Sequence, residues 1–382
     1  MSLSLHVISF DVPYPANYGG VIDVFHKLRA LKQKNVNVIL HCYEYGRGVQ
    51  QKLEQYCEKV YYYKRSSSLV NLFSSKPYIV ASRSDQSLLN NLLSDNSPIL
   101  FEALHSCELL SHPLLKDRFK IYRESNIEHV YYSELAKNEK NIFKKIFYLI
   151  EAAKLKKYES QVLYSDLILA VSKKDTDYFK QAYQNVNCIY LPSFHPYDQI
   201  VSKEGNGDFV LYHGKLSVNE NHEAALFLIE NVFSKIKYNV VIAGMDPKEE
   251  LIRKVSVYQN IEIIKNPDED KMEALIQNAQ INCLYTNQET GLKLKLIHSL
   301  FSGRFVVCNQ KMLFGTGLEN VVKIGNSSTE LINKINEFME RTFSALEIER
   351  RESHIPFEYQ NEQKIELLVK TIKENSKAVI VP

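Results

Sequence analysis

Short apolar runs recur along the chain, and between them apolar positions return every third or fourth residue. The first pattern belongs to strands buried on both faces and the second to helices covering them. Together they predict stacked βα units and parallel sheets. In the first half the strand candidates are Leu5–Phe10, Val36–Cys42, Lys59–Tyr63, Pro98–Phe101, Phe119–Tyr122, Leu167–Val171 and Cys188–Leu191. A second series follows in Phe209–His213, Asn239–Gly244, Ile261–Ile264, Ile281–Tyr285, Phe305–Cys308 and Val321–Ile324. Residues 125 to 163 read as one long helical region with a break near Asn138–Asn141.

The two halves open alike. Val7-Ile8-Ser9-Phe10 leads to Asn17-Tyr18-Gly19-Gly20, and Val210-Leu211-Tyr212-His213 leads to Gly214-Lys215. This restart predicts two doubly wound domains, residues 1–195 and 196–358. Their seam lies in Pro192–Gly207, where Pro192, Pro196, Gly205 and Gly207 cluster. Residues 359–382 are expected to form a last helix, after Pro356, that packs back on the first domain. Doubly wound sheets bind ligands at the carboxyl ends of their strands, so candidate chemistry is sought there.

A length of 382 residues agrees with two cores. Lysine and arginine number 47 against 45 acids, a net charge of +2, and no basic, aromatic-lined patch marks a nucleic-acid binder. Six cysteines lack the paired spacing of a zinc or disulfide framework; Cys42, Cys188, Cys283 and Cys308 fall in or beside strand runs as small hydrophobes. The start lacks the basic segment and apolar core of a secretory signal, and no run reaches the roughly 20 apolar residues that span a bilayer. The expected location is cytoplasmic, with the inner membrane face as an alternative.

The stretch from Thr290 to Val307 reads as a glycine turn, a short helix closed by Gly303, and a buried strand. Lys293 and Lys295 stand in the first helical turn, where cations oppose the helix dipole unless an anion is present, so the arrangement suggests a diphosphate site. A surface loop with solvated lysines is the plainer reading. Gly19-Gly20 allows close backbone approach or simply makes a turn, and it lacks the three-glycine dinucleotide spacing. His105 follows a strand end, where a histidine can hydrogen-bond a sugar or carry a proton. In Arg123–His129, Ser125 or Asn126 caps the next helix with Glu128 closing a capping box, while Arg123 and His129 suit an anionic or hydroxyl-rich acceptor. The helix beyond carries Lys137, Lys140, Lys144, Lys145, Lys154, Lys156 and Lys157. Such a face rests on anionic lipid or points to solvent, and Glu134, Glu139, Glu151 and Glu159 favour solvent. Asp268-Glu269-Asp270 opens a helix as the dipole prefers and is not read as a metal motif.

In this order the motifs resemble the retaining glycosyltransferases of family 4. The resemblance covers nearly the whole chain. It rests on Pro13–Gly20, on Arg123–His129 with Tyr131-Tyr132, and on Glu151 to Glu159 leading to Ala170–Asp175. It continues in Tyr212–Lys215 with Asn219, and in Gly291–Leu300 followed by Gly303. It implies a GT-B fold, α/β with two Rossmann-like doubly wound domains facing a central cleft. It also implies transfer of a sugar from a nucleotide sugar to a saccharide or lipid-linked acceptor, with retention and no required cofactor or metal. The second domain would bind the nucleotide and the first the acceptor, through Arg123, Asn126, Glu128 and His129. His105 would stand near the reacting sugar, Lys215 and Lys295 would face the diphosphate, and Gly19, Gly20 and Gly214 would lie against the donor. Gly291 and Leu292 would offer N–H groups, Asn266 would reach the nucleobase, and Asn219, Glu289, Thr290, His298 and Ser299 would complete the donor set. The process implied is surface-polysaccharide or glycolipid synthesis.

One position departs from the pattern. The second of two glutamates usual around this turn is His298, and the first aligns with Thr290, with Glu289 one residue away. A neutral imidazole offers one acceptor nitrogen where a carboxylate offers two oxygens. A binding or scaffold protein that has lost turnover, and a nucleotide-sugar epimerase, therefore stand as alternatives.

Overall fold

A computed structural model describes residues 3–139, 141–287 and 294–378. The chain divides into two compact units, Met1–Phe194 with Asn361–Pro382, and His195–Gln360. The division falls inside the proline- and glycine-bearing stretch.

The first unit is built on a parallel sheet of β1 (Ser4–Ser9), β2 (Asn37–Glu44), β3 (Lys59–Lys64), β4 (Ile99–Glu102), β5 (Lys120–Arg123), β6 (Leu167–Ala170) and β7 (Asn187–Tyr190). The spatial order is β3-β2-β1-β4-β5-β6-β7. The second unit repeats the plan with β8 (Phe209–Lys215), β9 (Asn239–Met245), β10 (Ile261–Lys265), β11 (Ile281–Leu284), β12 (Phe305–Cys308) and β13 (Lys323–Ile324), ordered β10-β9-β8-β11-β12-β13. Strand order reverses beside the first strand of each unit, between β1 and β4 and between β8 and β11. That reversal splays the following loops apart and leaves a crevice at the carboxyl ends. Central strands such as β4, β6, β11 and β12 are buried along their length, which explains their unbroken apolar runs.

The long helical region is two helices, Glu128–Asn138 and Ile142–Tyr158. Asn141 restarts the second, its Oδ1 accepting from Phe143 N at 3.0 Å and Lys144 N at 3.2 Å. The expected cap of the first is not formed. Its N-cap is Ile127, and Ser125 Oγ stands 3.5 Å from Glu128 Oε1.

A buried charge cluster joins the first unit's parts. Asp23, on the helix Gly19–Gln33, receives Arg123 Nε at 3.1 Å, Lys27 Nζ at 3.2 Å and Phe194 N at 2.7 Å. Lys27 also reaches Glu102 Oε1 at 2.7 Å. Burial alone would raise Asp23, but Arg123 and Lys27 outweigh it and hold the carboxyl well below its usual range. From the last helix, Asn361–Ala378, Lys364 donates to Ser193 O at 2.7 Å and lies over the Phe194 ring. Burial pushes this ammonium well below its ordinary range, opposed by Asp23. The last helix also packs on Gly19–Gln33 through Lys34, which pairs with Glu362 and Glu366.

Removing one member of such a cluster strands its partners. Lys27→Met should lower stability by about 3–5 kcal/mol, read from urea unfolding, and adding Glu102→Gln should recover part of that loss. A loss below about 1 kcal/mol would mean that Asp23 and Glu102 do not depend on this cation.

Candidate functional site

Two clusters form at the strand-order reversals, one in each unit. In the second unit β8 ends in His213-Gly214-Lys215 and β9 lies against it. A Cβ at Gly244 would fall 1.8 Å from Gly214 O, and one at Gly214 would fall 3.1 Å from the Asn221 side chain. Only a glycine at 244 lets the two backbones close. The next helix, Asn219–Asn231, is capped by Val218, which has no side-chain acceptor to offer the first N–H groups.

Asn221 is the hub of this cluster. Its Nδ2 donates to Lys215 O at 3.1 Å, and its Oδ1 accepts from Lys295 Nζ at 2.9 Å. Its backbone carbonyl accepts from Tyr212 OH at 3.0 Å, and Lys295 Nζ lies 5.2 Å from the centre of the Tyr212 ring. Lys295 belongs to the first turn of the described helix Leu294–Ser302. At the end of β11, Thr286 donates to Glu220 and exchanges hydrogen bonds with Asn309. Asn221 thus ties Lys295 to the end of β8, and Thr286 ties the end of β11 to Asn309, which follows β12, and to Glu220 on the helix Asn219–Asn231.

His213, buried beneath, meets Ser299 Oγ at 3.2 Å through Nε2. Burial, then Lys295 and His298, push its pKa down to about 3, so the ring is neutral at pH 7. Ser299 is fully buried in this contact. The expectation that it meets a donor is corrected: its hydroxyl serves the fold. His298 stands edge-on to Tyr197 at 5.7 Å, and burial, opposed by Glu273, lowers it to about 4. Among the described residues its Nε2 is buried with no hydrogen-bond partner. Glu273 is occupied by Tyr197, Ser302 and Gln277.

Asn219 accepts from Lys248 Nζ at 2.9 Å. Asn266 closes β10, with φ of 49°, and its Oδ1 takes the Asp246 N–H at 2.7 Å. That carboxamide oxygen shapes the loop. Glu289, Thr290, Gly291 and Leu292, with Lys293, lie outside the described residues.

In the first unit Gly19 and Gly20 open the helix Gly19–Gln33. A Cβ at Gly20 would fall 2.6 Å from the Phe10 ring, so this position needs space. Phe10 packs on His105 at 5.4 Å. His105 follows Ala103, a non-glycine residue at φ 59° and ψ 161°, a strained conformation of the kind that gathers at functional sites. Its Nδ1 stands 3.8 Å from Glu128 Oε1. Burial, with Arg83 and Arg65 nearby, holds the ring well below its ordinary pKa. Burial pushes Glu128 up to about 8, against hydrogen bonds from Ser125 and Asn126. At pH 7 a neutral acid faces a neutral imidazole.

His105, Asn126 and Glu128 therefore come together, but two other acceptor candidates are corrected. Arg123 is buried among Asp23 and the carbonyl of Leu191, inside the charge cluster. His129 meets Glu159 Oε2 at 3.1 Å, and Glu159 also accepts from Tyr178 and Tyr183. The residues missed in the sequence are Asn221, Thr286 and Arg83, and Tyr212 stood there only as part of the Tyr212–Lys215 motif, with no role of its own. Asn221 had a faint signal, an amide two residues beyond Asn219 in the first turn after Gly214-Lys215.

Solved structures with this arrangement of two sheets decide the architecture. The Anabaena protein HepE, crystallised with UDP and glucose, superposes with a TM-score of 0.67 at 11% identity, covering 97% of this chain and all of that one. OtsA without ligand gives 0.64 at 11% over the full length of both. The trehalose-phosphate synthase of Burkholderia xenovorans, with glucose-6-phosphate, gives 0.66 at 10%, covering 97% of this chain and all of that one. The fold is GT-B. Residues 207–341, within the second unit, match the family model described as glycosyl transferases group 1. A Klebsiella pneumoniae protein, "uncharacterized 44.6 kDa protein in cps region", is 29% identical over 353 residues, 85% of this chain and 88% of that protein.

Glu128 generates a pH prediction. Its native pKa of about 8 exceeds the ordinary 4.5, so its contribution to stability is complete below about 4.5 and is lost as pH rises through about 8. Glu128→Gln should remove on the order of 4 kcal/mol of decline across that window, measured by denaturant unfolding at several pH values. An unchanged pH profile would show that the carboxyl is ionised in the native state.

Proposed function

We propose that this protein moves a sugar from a nucleotide-sugar donor to a saccharide or lipid-linked acceptor with retention, in surface-polysaccharide or glycolipid synthesis. The match of residues 207–341 to glycosyl transferases group 1 supports the reaction class, and the cps-region relative supports a polysaccharide product. The observation that carries the reading is Asn221 holding Lys295 beside the glycine-pinched end of β8.

The chemistry follows from charge. As the bond from sugar to phosphate breaks, positive charge grows on the ring and negative charge on the leaving diphosphate. A fixed ammonium and N–H groups aimed at that phosphate lower the barrier, each donor contributing about 3 kcal/mol. Asn221 keeps Lys295 in place before the substrate arrives, so little reorganisation remains for the transition state. Lys215 and Lys295 supply the positive charge that a divalent cation would otherwise bring, and turnover should persist in a chelator. His298, whose Nε2 has no partner among the described residues, takes a donor hydroxyl in place of a carboxylate. In the first unit His105, Asn126 and Glu128 form the acceptor side, where protonated Glu128 donates rather than accepts.

Lys295→Ala should abolish transfer while leaving the thermal unfolding curve unchanged. Retention of more than about a tenth of the rate, less than 1.4 kcal/mol of barrier, would remove Lys295 as the phosphate anchor. The neutral His298 favours a second reading, a binding protein without turnover. An inactive wild type that gains transfer on His298→Glu would establish it.

A further inference from the structure

The helix Ile142–Tyr158 wears its apolar side outward. Ile142, Phe143, Ile146, Leu149 and Ile150 are exposed, Phe143 by 81%, and they recur at the spacing that makes one helical stripe. Glu151, Ala152 and Leu155 form the buried side. The solvated polar face expected from Glu134, Glu139, Glu151 and Glu159 does not describe this helix: its one glutamate, Glu151, is inside, its Oε2 accepting from Tyr78 N at 2.6 Å. Lys154 pairs with that glutamate and donates to Leu72 O at 3.1 Å, tying the helix to the turn Leu69–Phe73. Leu69, Val70 and Phe73 are exposed there as well, Phe73 by 89%.

A stable monomer rarely leaves that many large apolar side chains in water on adjoining elements. Charge indicates what covers them. The helix carries five lysines, Lys144, Lys145, Lys154, Lys156 and Lys157, against the one buried glutamate. A protein partner's apolar face gives no reason for that excess, whereas an anionic bilayer attracts the ammonium groups while its acyl boundary takes up the apolar stripe. Among the described residues no helix is long and apolar enough to cross a membrane, so the contact is with the surface.

We propose that the stripe of Ile142–Tyr158 and the turn Leu69–Phe73 dock the first unit on an anionic lipid surface. This does not rest on the donor chemistry. The test is co-sedimentation of the full chain with phosphatidylcholine vesicles, with and without phosphatidylglycerol, in the absence of any sugar donor. The protein should pellet with the anionic vesicles and be released by salt. Phe143→Ser with Ile146→Ser and Ile150→Ser should abolish pelleting at an unchanged unfolding temperature, and Lys144→Glu with Lys156→Glu should weaken it about tenfold or more. No association with anionic vesicles, or association that the triple variant keeps, would overturn the proposal. So would a concentration-dependent dimer dissolved by the triple variant, which would assign the face to a second copy. Because no donor is present, failure here leaves the transfer reading untouched, and loss of transfer leaves this one untouched.

Discussion

Asp23 holds the first unit together. A carboxylate cannot remain charged in a protein interior without cations and N–H groups aimed at it, and those aimed at Asp23 come from four separate places in the chain. Lys27 lies one turn along the same helix, Arg123 ends β5, Phe194 follows β7, Lys364 sits on the last helix, and Glu102 closes the cluster from β4. The arrangement also constrains the candidate site. Glu102 is bound by Lys27, and the very next residue is the strained Ala103 that turns His105 toward Glu128. A buried ionic cluster is weak evidence for extra stability, but it fixes which elements must meet. Here that includes the last helix, whose buried Lys364 donates to Ser193 O and faces Asp23.

The second unit holds its cation through other contacts. Lys295 is held by a neutral carboxamide and the face of Tyr212, both of which orient an ammonium without cancelling it. The neighbouring histidines are neutral because burial makes their charged forms costly, and Lys295 adds to that cost at His213. Glu220 lies near but is tied to Thr286.

The strands were legible because each carries its own signal, an apolar run bounded by turn residues, and every strand in the sequence reading overlaps a strand of the fold. The helix break at Asn141 was legible for the same local reason. What could not be read were pairings over long separations. Arg123 looks like an acceptor anchor until Asp23, 100 residues earlier, is seen beside it, and His129 likewise until Glu159 is. Ser299 was misjudged because the helix Leu294–Ser302 is buried at every position but Lys295 and His298, an enclosure that its sequence alone does not show. The lysine-rich helix failed differently. Counting charges along it treated Glu151 as exposed, when the fold turns that residue in and the isoleucines out.

The central claim is that the end of β8, with Lys215, Asn221 and Lys295, receives a nucleoside diphosphate. Thermal unfolding of the wild-type chain against a panel of nucleoside diphosphates and nucleotide sugars, each with magnesium and with chelator, tests it most directly. One nucleotide family at about 100 times its Kd should stabilise the fold by roughly 2.7 kcal/mol, equally well without the metal. No shift with any nucleotide would contradict the account.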